Sequence, residues 1–135
     1  MTASPIRQPC PSGVCDCDRQ RLLETPGADV RILRLTRQEE RRLLDRLEAL
    51  TDLQDLERLQ ARMYDQLGIR LRIAPGHTEV RSMRGILIEI DELPGLCRKT
   101  RQSIPAAIRR GLQKQPEIAY RLLDAHDLLG LIASE

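Results

Sequence analysis

Leucine recurs between residues 43 and 67 in two different rhythms. Leu43, Leu44, Leu47 and Leu50 fall on one face of an α-helix, whereas Leu50, Leu53, Leu56 and Leu59 are spaced by three. A single rod would have to rotate its apolar stripe around its own axis to use both sets. Two helices, over 37–50 and 52–67, bring each set to one side. The start signals agree, since Thr36 with Glu39 forms one capping box and Thr51 with Gln54 a second. Gly68 supplies a stop, because glycine tolerates the left-handed conformation that follows a helix end.

Elsewhere the period shortens to two. "DVRILRL", residues 29–35, alternates and predicts a strand running into the Thr36 helix start. In "IRLRI", residues 69–73, Ile69, Leu71 and Ile73 take one face and Arg70 and Arg72 the other. "APGHT" is a turn, and "EVRSMRGILIEID" a long strand with Gly85 as a bulge and Ile86, Ile88 and Ile90 facing inward. "ELPGLCRKT" reads as a loop. Ser103 with Pro105 then opens a helix that buries Ile104, Ile108 and Leu112. A last helix begins at Pro116, turns Ile118, Leu122, Ala125 and Leu129 inward and ends near Gly130.

The resulting order is β-α-α-β-β-α-α, an α+β fold with a small three-stranded sheet covered by helices. Residues 29–135 form this single domain. Residues 1–28 hold four prolines and two glycines with little periodicity. They form an irregular cysteine-rich arm, with one helical turn at "DRQRLLE".

Composition limits the core and the compartment. With 22 Leu and 11 Ile against two Tyr and no Phe or Trp, the core is aliphatic. A chain of 135 residues buries enough of it to fold without disulfides. No apolar run is long enough to cross a bilayer, and the first residues lack the apolar centre of a secretory signal. Cytoplasm is therefore the expected location, and no membrane partner is expected. Thiols stay reduced there, so clustered cysteines point to metal or redox chemistry.

The cysteines are Cys10, Cys15 and Cys17 in "CPSGVCDCDR", and the distant Cys97 in "LPGLCRKT". Cys15 and Cys17 can supply two sulfurs from one extended peptide, and Pro11, Ser12 and Gly13 let the chain turn back to add Cys10. With Cys97 as fourth ligand this makes a closed four-thiolate zinc site. The same sulfurs would also suit an iron–sulfur cluster or a thiol redox pair. A bare nucleophile fits Cys17 poorly, because Asp16 and Asp18 flank it; Cys97, followed by Arg98, Lys99 and Arg101, suits that role better. His77 and His126 read as surface residues, either of which could replace Cys97 as a ligand.

Charge is unevenly spread although the net is only +2. Residues 69–115 carry ten basic and four acidic side chains. Arg70, Arg72, Arg81, Arg84, Arg98, Lys99 and Arg101 form the expected basic surface, suited to nucleic acid or to an acidic protein. With two tyrosines, both in predicted helices, an aromatic platform for single strands is excluded. The apolar end "LLGLIAS" offers a surface for homo-oligomer formation. There is no phosphate-binding glycine loop, dinucleotide fingerprint or nucleophile elbow, so a non-enzymatic interaction or regulatory protein is the expected class.

Overall fold

The computed structural model describes residue 7, residues 17–75 and residues 85–133, the last stretch from 125 onward in its backbone only. Five helices and one hairpin build it: α1 (Arg19–Glu24), α2 (Arg37–Glu48), α3 (Leu53–Leu67), β1 (Leu71–Pro75), β2 (Ile86–Ile90), α4 (Arg98–Lys114) and α5 (Pro116–Ala133). A 3₁₀ turn, Arg31–Arg34, stands between α1 and α2. The architecture is α+β, as expected, but the sheet among the described residues has two strands rather than three.

The missing strand is the 3₁₀ turn. Asp29 Oδ1 accepts the Arg31 backbone N–H at 3.1 Å, closing a local turn that competes with strand pairing. Ile32, Leu33 and Leu35 are buried while Val30 is 44% exposed, a pattern with adjacent inward residues that a strand with one solvated face does not present.

The predicted break between α2 and α3 is present. Thr36 caps α2, its side chain accepting the Glu39 N–H at 3.2 Å. The cap of α3 is Asp52 rather than Thr51: Asp52 Oδ1 accepts from the Asp55 N–H at 2.7 Å, and Asp55 Oδ2 accepts from the Thr51 N–H at 3.1 Å. Asp55, itself buried, also pairs with Arg46 of α2 and so fixes the corner between the helices. That guanidinium holds the Asp55 carboxyl below the ordinary aspartate range against the opposing effect of burial. Gly68 ends α3 at φ 76°.

β1 and β2 pair antiparallel with Leu71 opposite Ile90 and Ile73 opposite Ile88. The Asp91 N–H bonds to the Arg70 carbonyl at 3.2 Å, so in the alternating ladder Leu71, Ile86 and Ile90 turn their backbone groups outward. Those edge groups meet neighbouring helices. Arg109 and Arg101 of α4 donate to the carbonyls of Ile86 and Ile90 at 3.0 and 3.2 Å, and Gln60 of α3 donates to that of Leu71 at 3.1 Å. A hairpin alone is marginal, and here side chains from two helices cover its edges.

The core lies between this hairpin and the helices, with Leu47, Leu56, Ile69, Ile86, Ile104, Ile108 and Leu112 essentially sealed from solvent. α2 packs against α4, where Gly111 lets the helices approach: a Cβ there would strike the Leu47 carbonyl oxygen. Two further expectations change. α4 begins at Arg98, not at Ser103, and carries Pro105 in its interior, while α5 continues past Gly130 to Ala133. Among the described residues, no helix is long and apolar enough to cross a membrane.

Candidate functional site

Cys17 opens the described stretch that runs into α1. Asp18, the residue before α1, adopts a left-handed conformation at φ 59°, uncommon for a residue with a side chain. The chain thereby turns from Cys17 into α1, where Leu22 is buried in the main core. On the opposite side, Gly95 takes φ 91° and donates its N–H to the Cys17 carbonyl at 2.6 Å. A Cβ on Gly95 would lie 2.7 Å from both Ile32 Cγ2 and Leu22 Cδ2. Only glycine fits this contact, which ties the cysteine arm to the loop that leads into Cys97.

Cys97 follows two residues later and is the N-cap of α4. It is half-buried, like Cys17. Its side chain makes no capping bond, and the first turn of α4 holds no acid. Arg98 and Lys99 occupy the first helical positions instead, and Arg101 follows. Three cations at the positive end of a helix dipole are mutually unfavourable unless negative charge gathers there.

A third element was not legible as a site residue. Arg7 is buried, its Nη2 donates to Cys17 Sγ at 3.4 Å, and its Nε has no hydrogen-bond partner. Its backbone is pinned on both sides: the N–H bonds to the Leu33 carbonyl at 2.7 Å, and the carbonyl accepts Arg19 Nε at 3.0 Å. Nothing in the pattern of a proline-rich arm marks one arginine as buried.

Cys10 and Cys15 lie outside the described residues, as do Arg81, Arg84 and His77, and the side chains of His126 and of the "LLGLIAS" end lie outside them too. Among the described residues, no three Cys, His, Asp or Glu side chains form a group that could hold a metal ion. The described part of the expected centre is therefore Cys17, Cys97 and the Gly95 bond that joins their segments.

The basic surface divides. Arg70, just before β1, and Arg72 within it are both exposed, as expected. Arg72 is engaged by Asp91 at 2.8 Å and Glu89 at 3.4 Å. Arg70 lies over the Tyr64 ring, 5.2 Å from its centroid, and Arg31 lies 5.4 Å from the same centroid. Arg101 is turned to the Ile90 carbonyl and to Glu92, at 3.7 Å. Glu89 and Asp91 thus take up the charge of Arg72, and Glu92 that of Arg101. Arg98 and Lys99 remain exposed, with no carboxylate bonded to them among the described residues. Charge counting along the sequence missed this, because it cannot tell a solvated arginine from one already paired.

No protein-family model matches the chain, and neither a curated protein nor a solved structure matches it.

Proposed function

We propose that this chain is a small non-enzymatic zinc-binding interaction or regulatory protein of the cytoplasm, in which Cys10, Cys15, Cys17 and Cys97 hold the metal. The supporting observation is the Gly95 N–H to Cys17 carbonyl bond, which joins the arm segment to the Cys97 loop although the two are far apart in sequence. The donor chemistry fits: thiolates suit zinc, and a closed four-sulfur set makes a structural rather than a catalytic site. The start of α4 fits as well, since thiolate charge at Cys97 offsets the cations of its first turn. When bound, zinc supplies a cross-link between arm and domain. The chain's own part is to orient the sulfurs and to present Arg98 and Lys99, which follow Cys97 directly, to an acidic partner, nucleic acid or protein.

Metal analysis of the full chain purified without oxygen tests this. The expected result is a colourless protein with one zinc per chain, whose zinc is lost in Cys17→Ser and in Cys97→Ser. Coloured protein containing iron and sulfide would assign the same cysteines to an iron–sulfur cluster. Metal-free protein whose thiols cycle with a disulfide would assign them to redox chemistry.

A further inference from the structure

Tyr64 stands on the exposed side of α3 with 42% of its surface in water. Two guanidiniums lie against its ring, and they are not equivalent. Arg31 is used by the fold. Asp29 pairs with it at 2.7 Å, and its Nη1 donates to the Tyr64 and Asp65 carbonyls at 3.0 and 3.2 Å, which closes the end of α3. Arg70 meets the ring and the Tyr64 hydroxyl oxygen, 3.5 Å from its Nη2, and bonds no carboxylate among the described residues.

Beside this pair α3 and β1 leave an open groove of about 430 Å³, lined by Gln60, Ala61, Tyr64, Ile69, Arg70 and Leu71. That is near the low end for ligand sites, about 300–1,000 Å³, and is room for a side chain or two rather than for a cofactor. Gln60 donates to the Leu71 carbonyl at 3.1 Å, so at this position the strand edge is already bonded and does not take an added strand. The groove offers an apolar floor, an aromatic ring and two adjacent donors: the Arg70 guanidinium and the Tyr64 O–H, whose proton the Arg70 contact does not use. One carboxylate can accept from both. Charge decides between partners. Arg72 is taken by Glu89 and Asp91 and Arg31 by Asp29, so a single cation is left uncompensated. A single carboxylate answers it, whereas a phosphodiester chain would bring repeated negative charge against Asp29, Glu89 and Asp91.

We propose that the α3–β1 groove docks a segment of a protein partner that carries a carboxylate beside an aliphatic side chain. The aliphatic group lies over Ala61, Ile69 and Leu71, and the carboxylate accepts from Arg70 and the Tyr64 hydroxyl. Tyrosine and arginine are the residue types enriched at interface hot spots, and stacking on the ring holds the guanidinium before the partner arrives, which lowers the ordering cost. The inference uses neither the cysteines nor the first turn of α4, so it goes beyond the zinc reading and does not depend on it.

The test is peptide binding by the full chain. With no tryptophan, its ultraviolet emission comes from two tyrosines, and in Tyr120→Phe, altered at an exposed position, it reports Tyr64 alone. The probe is a short acetylated and amidated peptide in which leucine alternates with glutamate. Leucine–glutamine and glycine–glutamate peptides and an oligothymidylate are the comparisons. The leucine–glutamate peptide should quench Tyr64 and shift the amide resonances of Ala61, Tyr64 and Arg70, and each comparison should bind more weakly. Arg70→Gln should weaken binding about 10- to 100-fold, the usual effect of losing a charged hydrogen bond, and Tyr64→Phe, followed by the amide shifts, about 2- to 10-fold. Ala61→Glu, at an exposed position, sets a like charge in the groove and should abolish binding. Should Arg70→Gln fail to fold by circular dichroism, Ala61→Glu decides. Unmoved emission and amides at millimolar leucine–glutamate peptide, shifts confined to another face, or wild-type affinity in Arg70→Gln or Ala61→Glu would overturn the proposal. Tighter binding of the oligothymidylate would also overturn it and give the groove to nucleic acid.

Discussion

Replacing Gly95 by alanine perturbs the contact on which arm docking depends. Two costs are separable. An L residue at φ 91° is strained, and the left-handed region alone costs about 1–2 kcal/mol. The added Cβ would also sit 2.7 Å from Ile32 Cγ2 and Leu22 Cδ2, both in nearly sealed side chains, and overpacking of this kind costs about 1–3 kcal/mol. Together these give a loss of about 2–5 kcal/mol, if the two add. Gly27 provides the control, because it has φ 74° with nothing within 4 Å of a built Cβ. Gly27→Ala should therefore show the backbone cost alone. Urea unfolding followed by circular dichroism measures both, and limited trypsin digestion at Arg19 and Arg21 reports release of the arm. Equal losses in Gly95→Ala and Gly27→Ala, with no added cleavage in Gly95→Ala, would show that the Gly95 contact does not hold the arm.

The other expectations concern the scaffold and the surface. Gly111→Ala should separate α2 from α4 and cost about 1–3 kcal/mol in urea unfolding, since the Leu47 carbonyl is backbone and cannot move aside easily. Asp55 has its folded-state pKa depressed mainly by Arg46, so its contribution is complete above the unfolded aspartate value of about 3.9 and is lost as pH falls through the folded value. Asp55→Asn should accordingly be less stable than wild type at neutral pH, with the difference shrinking in acid; a difference independent of pH would contradict the Arg46 pairing. If an acidic partner docks at the start of α4, Arg98→Gln with Lys99→Gln should weaken binding and flatten its salt dependence more than Arg72→Gln, because Arg72 is already spent on Asp91 and Glu89. The reverse order, read by fluorescence anisotropy across a salt series, would place the partner on β1 instead.

Elements set by spacing along one segment were legible, and those set by contact between segments were not. The leucine phase change announced the break between α2 and α3, and Arg70 and Arg72 face outward as the alternation of 69–73 requires. The stretch 29–35 misled because Val30 with Ile32, and Leu33 with Leu35, are spaced by two as in a strand, while adjacent Ile32 and Leu33 and the Asp29 turn favour a 3₁₀ turn. The start of α4 was hidden for two reasons. Cys97 is not a capping residue by type, and Pro105 suggested a first turn where the helix has already run for seven residues. For the site, cysteine spacing pointed to Cys17 and Cys97, but the Gly95 bond and the burial of Arg7 arise only once the arm is folded against the domain.

X-ray absorption at the zinc edge of the full chain addresses the metal centre most directly. Four sulfur neighbours at about 2.3 Å are expected in wild type if Cys10, Cys15, Cys17 and Cys97 hold the zinc as proposed. Cys97→Ser should lose that shell or the metal altogether. A shell of nitrogen and oxygen, or a four-sulfur shell that survives Cys97→Ser unchanged, would contradict the account.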